Sequence, residues 1–193
     1  MWPFGKRDEE KNAALKEEMA RNNRAGRAEL LWKQGTRFME RKRYDKALDC
    51  YRDALEIEPS RLEGRLNMGT AFYLNGQPEE ALPHFRYVLA LEPQNTVALI
   101  NLAATQDALG DLDGAIQSLE KLVQERPNWR DANYNLAVAY VKKERWDDAT
   151  DALRRELTLN PKNDAARTLL NDVHLKPRKK GATSKEQGEN QPQ

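Results

Sequence analysis

Residues 62–95 read LEGRLNMGTAFYLNGQPEEALPHFRYVLALEPQN, and residues 96–129 read TVALINLAATQDALGDLDGAIQSLEKLVQERPNW. Laid over one another they align Pro93 with Pro127, Ala81 with Ala115 and Gly69 with Ala103, each pair 34 residues apart. The step continues outward to Pro59 and Pro161, and to Ala47 and Ala149. A period of this length marks one helix–turn–helix unit per repeat, and such units bury their apolar faces only against their neighbours. The frame gives four units, 28–61, 62–95, 96–129 and 130–163.

Each unit repeats one packing rule. Position 8 is small, as Gly35, Gly69, Ala103 and Ala137, which lets two helices of one unit approach closely. Position 20 is alanine throughout, and position 24 is large, as Tyr51, Phe85, Leu119 and Leu153. Small against large at matched positions is how packed helices interdigitate. Asn75–Gly76, Gly110 and the Lys42–Arg43–Tyr44 stretch fall where the turn within a unit belongs. Ser60, Asn95, Asn128 and Asn163 follow the prolines as candidate N-caps. Gln106, Glu125 and Glu156 replace apolar residues found at the same positions of the other repeats, and are expected to loosen packing locally.

The register resembles the tetratricopeptide repeat family, over about 70% of the chain. The resemblance implies an all-α fold, a right-handed helical solenoid of four repeats. Residues 164–175, with Leu169, Leu170 and Val173 at helical spacing, read as a C-terminal capping helix. Residues 1–27 form a charged extension, helix-favouring over 8–27, where Leu15 and Met19 sit one turn apart to cap repeat 1. Residues 176–193 are expected to be a disordered basic tail. Both ends are basic, by two charges over 1–27 and three over 176–193, against a net −4 for 28–175.

The resemblance also implies that the first helix of each unit lines a concave face, through positions 2, 5, 6, 9, 12 and 13. Position 6 then supplies Asn67, Asn101 and Asn135, a ladder of amides that both donate and accept hydrogen bonds. Such a ladder holds a peptide backbone, as in other members of the family, or else bonds neighbouring helices. Position 5 adds Trp32, Leu66, Ile100 and Tyr134, and position 12 adds Tyr73, exposed anchors for a partner side chain. Position 2 holds Glu29, Glu63 and Asp131, which either favour a Lys- or Arg-bearing ligand or complement the helix dipole. The function implied is a non-enzymatic adaptor that binds an extended segment of a partner protein. The alternative is a structural assembly factor that contacts folded subunits or itself, at a membrane surface.

Several classes are disfavoured. The clamp with which chaperone adaptors of the family hold the C-terminal tails of Hsp70 and Hsp90 needs cations where this chain has Trp32, Val97 and Asn101. His84 and His174 share no metal-ligand spacing, and no Gly-rich phosphate loop occurs, so catalysis, cofactors and metals are not expected. The near-neutral net charge gives no overall pull toward nucleic acid. One cysteine, Cys50, reads as a buried packing thiol, and the cytoplasm is the expected compartment. The cluster Trp2, Pro3, Phe4, Lys6 and Arg7 is the candidate for peripheral membrane contact, and Lys176, Arg178, Lys179 and Lys180 for an acidic partner.

Overall fold

The computed structural model describes residues 4–176 and, before Asn22, the side chain of Glu17 alone. Trp2, Pro3, the tail beyond Lys176 and the capping contacts expected of Leu15 and Met19 therefore lie outside the described residues. The described residues form nine helices and no strand, the expected all-α repeat class. They divide into two compact units, one ending at Pro127 and the other beginning at Asn128.

The first unit contains α1 (Phe4–Glu40), α2 (Tyr44–Ile57), α3 (Leu62–Leu74), α4 (Pro78–Leu91), α5 (Thr96–Ala108) and α6 (Leu112–Glu125). Helix α1 runs unbroken from the N-terminal extension into the first helix of repeat 1, and its residues 22–27 are exposed. The small-against-large rule appears directly in the packing. A Cβ on Gly35 would run into the Tyr51 ring, and one on Gly69 would stand 2.9 Å from Phe85 Cε1. Where position 8 is alanine instead, position 24 is the smaller leucine. Gln106 does not loosen its repeat as expected. Its amide donates to Asp111 Oδ2 at 3.2 Å and accepts from Ser118 Oγ at 2.7 Å, so a polar link between α5 and α6 replaces the aromatic of the other repeats.

The second unit contains α7 (Ala132–Lys142), α8 (Trp146–Leu159) and α9 (Asp164–His174). Glu156 of α8 is buried, and its Oε1 accepts from Asn163 Nδ2 at 3.0 Å.

The turns follow one rule in both units. Lys42, Gly76, Gly110 and Glu144, all at position 15, have positive φ of 55°, 76°, 77° and 56°. Two are glycines, for which this conformation carries no steric penalty; the other two are not, so Lys42 and Glu144 mark a turn that no breaker residue announces. The N-caps require a correction. Asn95 accepts from Ala98 N and Asn163 from Ala166 N, both at 3.0 Å. Ser60 and Asn128 stand one position earlier in the repeat and do not cap. The N-caps of α3 and α7 are Arg61 and Asp131, neither with a side-chain cap bond.

His84 of α4 packs inside the first unit, stacked on Phe72 with ring centroids 5.5 Å apart. Its Nδ1 is buried without a partner. Burial, and then the Arg65 charge from α3, lower its pKa to about 4. The unfolded chain takes up this proton near the ordinary value of about 6.5. Between the two values the unfolded state binds more protons, so stability falls as pH drops from 6.5 toward 4 and is unaffected by this group above 6.5. Going from pH 7 to pH 5 should cost the wild type roughly 1 kcal/mol more unfolding free energy in urea than it costs His84→Gln, discounted for partial exposure. Parallel pH profiles would show that the imidazole stays solvated.

Candidate peptide-binding face

In the first unit, α1 and α3 meet along a cavity of about 240 Å³. Its wall includes Trp32, Lys33 and Arg37 from α1, Glu63 and Asn67 from α3, and Arg61 at the start of α3. Trp32, Lys33, Glu63 and Asn67 lie at positions that the repeat register assigns to the face of the first helices, whereas Arg37 and Arg61 do not.

Trp32 departs from the expected exposed anchor. It is 5% exposed, because its ring occupies the space over Gly64, where a Cβ would run into it. The Tyr51 ring lies 5.6 Å away, and Trp32 Nε1 donates to Glu58 Oε2 at 3.0 Å. The Trp32 N–H, helped by Arg61, holds the Glu58 carboxyl below the usual carboxylate range. Leu66, Tyr73 and Ile100 are half-buried, and the first two pack against the Phe85–Leu102 core.

The asparagines differ from one another. Asn67 is half-buried on the cavity wall, and its amide makes no hydrogen bond among the described residues. Asn101 Nδ2 donates to Thr70 Oγ1 of the preceding repeat at 3.1 Å, so this amide bonds neighbouring helices. Asn135 is exposed and Tyr134 half-buried, both in the second unit.

The acids at position 2 are bonded within the protein, and Glu63 also stands in the first turn of α3, where an acid complements the helix dipole. Glu29 receives Arg61 at 3.3 Å, and Asp131 receives Asn163 Nδ2 at 3.4 Å. Both donors occupy position 34, so one bond recurs across the repeat. Glu63 faces Arg61 at 3.4 Å. Asp131 is not in a helical turn at all, but precedes α7 with φ 60°. Arg61 and Arg37 were outside the sequence-predicted set, since positions 34 and 10 are not among those assigned to the face. A finer charge count would have pointed to α1: residues 21–43 carry eight Lys/Arg against two Asp/Glu.

Other chemistry finds no support here. Burial, then Asp53 and Asp49, push the Cys50 thiol up, away from a reactive thiolate. Among the described residues no cluster of His, Cys, Asp and Glu could hold a metal, and no helix is long and apolar enough to cross a membrane.

A family model described as tetratricopeptide repeat matches residues 72–130 and 108–173, and one described as TPR repeat matches 35–76. No curated protein matches the chain. Among solved structures, a crystal structure of MamA protein is 19% identical, with a TM-score of 0.72, over 78% of this chain and 82% of that one. MamA from Desulfovibrio magneticus RS-1 is 24% identical, with a TM-score of 0.72, over 77% and 84%. YrrB, described as a TPR protein with an unusual peptide-binding site, is 22% identical, with a TM-score of 0.68, over 81% and 84%. At these identities the likeness is one of fold.

Proposed function

This chain belongs to the tetratricopeptide repeat family, and from that premise we propose that it is a non-enzymatic adaptor whose first unit binds an extended segment of a partner protein. Protein interaction is the general work of such repeats; the groove and its residues are the finer reading. The observation that carries it is Asn67, an unbonded amide held half-buried on the wall of the α1–α3 cavity. Half-buried rather than buried, this amide keeps contact with water, which the polar groups of a ligand can displace. A peptide backbone offers both the donor and the acceptor that the amide needs. Leu66, Tyr73 and Ile100, half-buried at positions 5 and 12, leave apolar surface for a partner side chain. YrrB, with its peptide-binding site on the same fold, supports the reading by analogy of fold alone.

The expected result is that an Asn67→Ala, Asn101→Ala protein, folded by circular dichroism, loses at least one partner that the wild type captures from lysate. Partners retained in full by that variant would sink the groove reading. They would favour the second reading, a scaffold that contacts folded subunits or itself. Leu30 of α1 is the observation on that side. It is 65% exposed, whereas Gly64, Ala98, Ala132 and Ala166 at the same repeat position are buried.

A further inference from the structure

The inference drawn here rests on the groove reading and names the chemistry of the segment that the first unit takes. Each acid on the cavity wall already faces a cation. Glu29 and Glu63 both meet Arg61, and Glu29 also meets Lys33 at 3.6 Å. Arg61 is held further by Glu58 at 3.1 Å and lies over the Trp32 ring. Arg37 is different. It is exposed one turn beyond Lys33, lines the same cavity, and makes no hydrogen bond, ion pair or ring contact among the described residues.

Arg37 thus brings an uncommitted guanidinium to the wall that carries the uncommitted Asn67 amide. A guanidinium is all donor, presented in a fixed fork. A carboxylate can accept from it in two parallel bonds, and from an amide N–H besides. The cavity, at about 240 Å³, has room for one acidic side chain.

The distribution of charge points the same way. Residues 21–43 hold eight Lys/Arg against two Asp/Glu, while residues 44–127 hold seven against fourteen. Exposed charges act over roughly 8 Å at physiological salt, so each region acts locally rather than through the near-zero net charge. An acidic residue is attracted to the 21–43 stretch and repelled by 44–127, which biases where along the face it sits.

We propose that the segment bound by the first unit carries an Asp or Glu side chain that enters the α1–α3 cavity and pairs with Arg37 beside Asn67. This differs from the expectation of a basic ligand held by the position-2 acids, since Arg61 already meets Glu29 and Glu63, the two in the first unit.

The test is titration of the full-length, isotope-labelled protein, followed by NMR, with capped hexapeptides Ala-Ser-Xaa-Xaa-Ser-Ala in which Xaa is Glu, Gln or Lys. The Glu peptide should shift the Asn67 side-chain amide and the Arg37 Nε–H signals. It should bind Arg37→Glu at least about tenfold more weakly, with Arg37→Gln in between, as loss of a charge-assisted pair requires. Melting temperatures of both variants check that they are folded. The Lys peptide should shift neither signal. Equal responses to the Glu and Gln peptides, unaltered by Arg37→Glu, would overturn the acidic preference and leave the groove reading standing. No response at Asn67 or Asn101 to any of the three would take the groove reading down as well. A Gln peptide with a free terminal carboxylate that shifts Arg37 more than the capped Glu peptide does would replace the side chain by a chain end.

Discussion

Replacing Trp32 by alanine should cost about 3–5 kcal/mol of unfolding free energy, the range for deleting a buried large aromatic. A typical domain has only about 5–15 kcal/mol in total, so the first unit would be left near its limit. Four contacts are lost together. The indole fills the space over Gly64, stands 5.6 Å from the Tyr51 ring and donates to Glu58 at 3.0 Å. The face of the ring also carries Arg61, 5.2 Å from its centroid. Removing the ring therefore opens a void, strips a donor from Glu58 and frees Arg61 from its platform. Trp32→Phe keeps most of the volume and loses the hydrogen bond, and should cost about 1 kcal/mol. Urea denaturation followed by circular dichroism measures both. A loss under about 1 kcal/mol for the alanine variant, as for an exposed side chain, would return Trp32 to the role of partner anchor.

Much of the fold was legible because its determinants are local and periodic. Proline at position 32 ends a helix whatever surrounds it, and alanine at position 20 with a small residue at position 8 sets how close two helices come. The turns were half legible. Gly76 and Gly110 announce a left-handed residue, but Lys42 and Glu144 adopt the same conformation with nothing in their chemistry to mark it. Ser60 stands one position before the cap of α3, and Asn128 three before Asp131, the cap of α7. For α3, α5 and α9 the cap falls at position 34, where Asn95 and Asn163 stand and where repeat 1 has Arg61 instead.

The candidate face was legible in position and not in partnership. Asn67, Asn101 and Asn135 are identical in the repeat pattern, yet one amide is unbonded, one is bonded to Thr70 and one is exposed. What separates them lies in the neighbouring repeat, which periodicity averages away. Trp32 illustrates the same limit. At its position Leu66 and Ile100 stay half-exposed, whereas Gly64 of the following repeat leaves room for an indole to turn inward. A tryptophan followed 32 residues later by glycine was a signal for burial, but only once the two helices are known to touch.

In the second unit one side chain carries an unusual load, and its loss is the second large effect expected. Asn163 caps α9 by accepting from Ala166 N at 3.0 Å, while its Nδ2 donates to Glu156 Oε1 at 3.0 Å and to Asp131 at 3.4 Å. Glu156 is 1% exposed, and Asn163 is its one hydrogen-bond partner among the described residues. Losing an asparagine cap costs about 1 kcal/mol. Leaving a buried polar group without its partner costs about 1–3 kcal/mol more. Asn163→Ala should therefore destabilise by about 2–4 kcal/mol on the sum of these two effects. The apolar residues Ala54, Val88 and Leu122 at the position of Glu156 suggest the control. In a Glu156→Leu background no buried carboxyl remains to be orphaned, so Asn163→Ala should cost only the cap, about 1 kcal/mol. The two substitutions must then be coupled by about 1–3 kcal/mol, which a double-mutant cycle in urea reads directly. Additive effects would mean that Glu156 is solvated without Asn163, and that the polar residue in the core of repeat 4 is tolerated by water rather than by its neighbour.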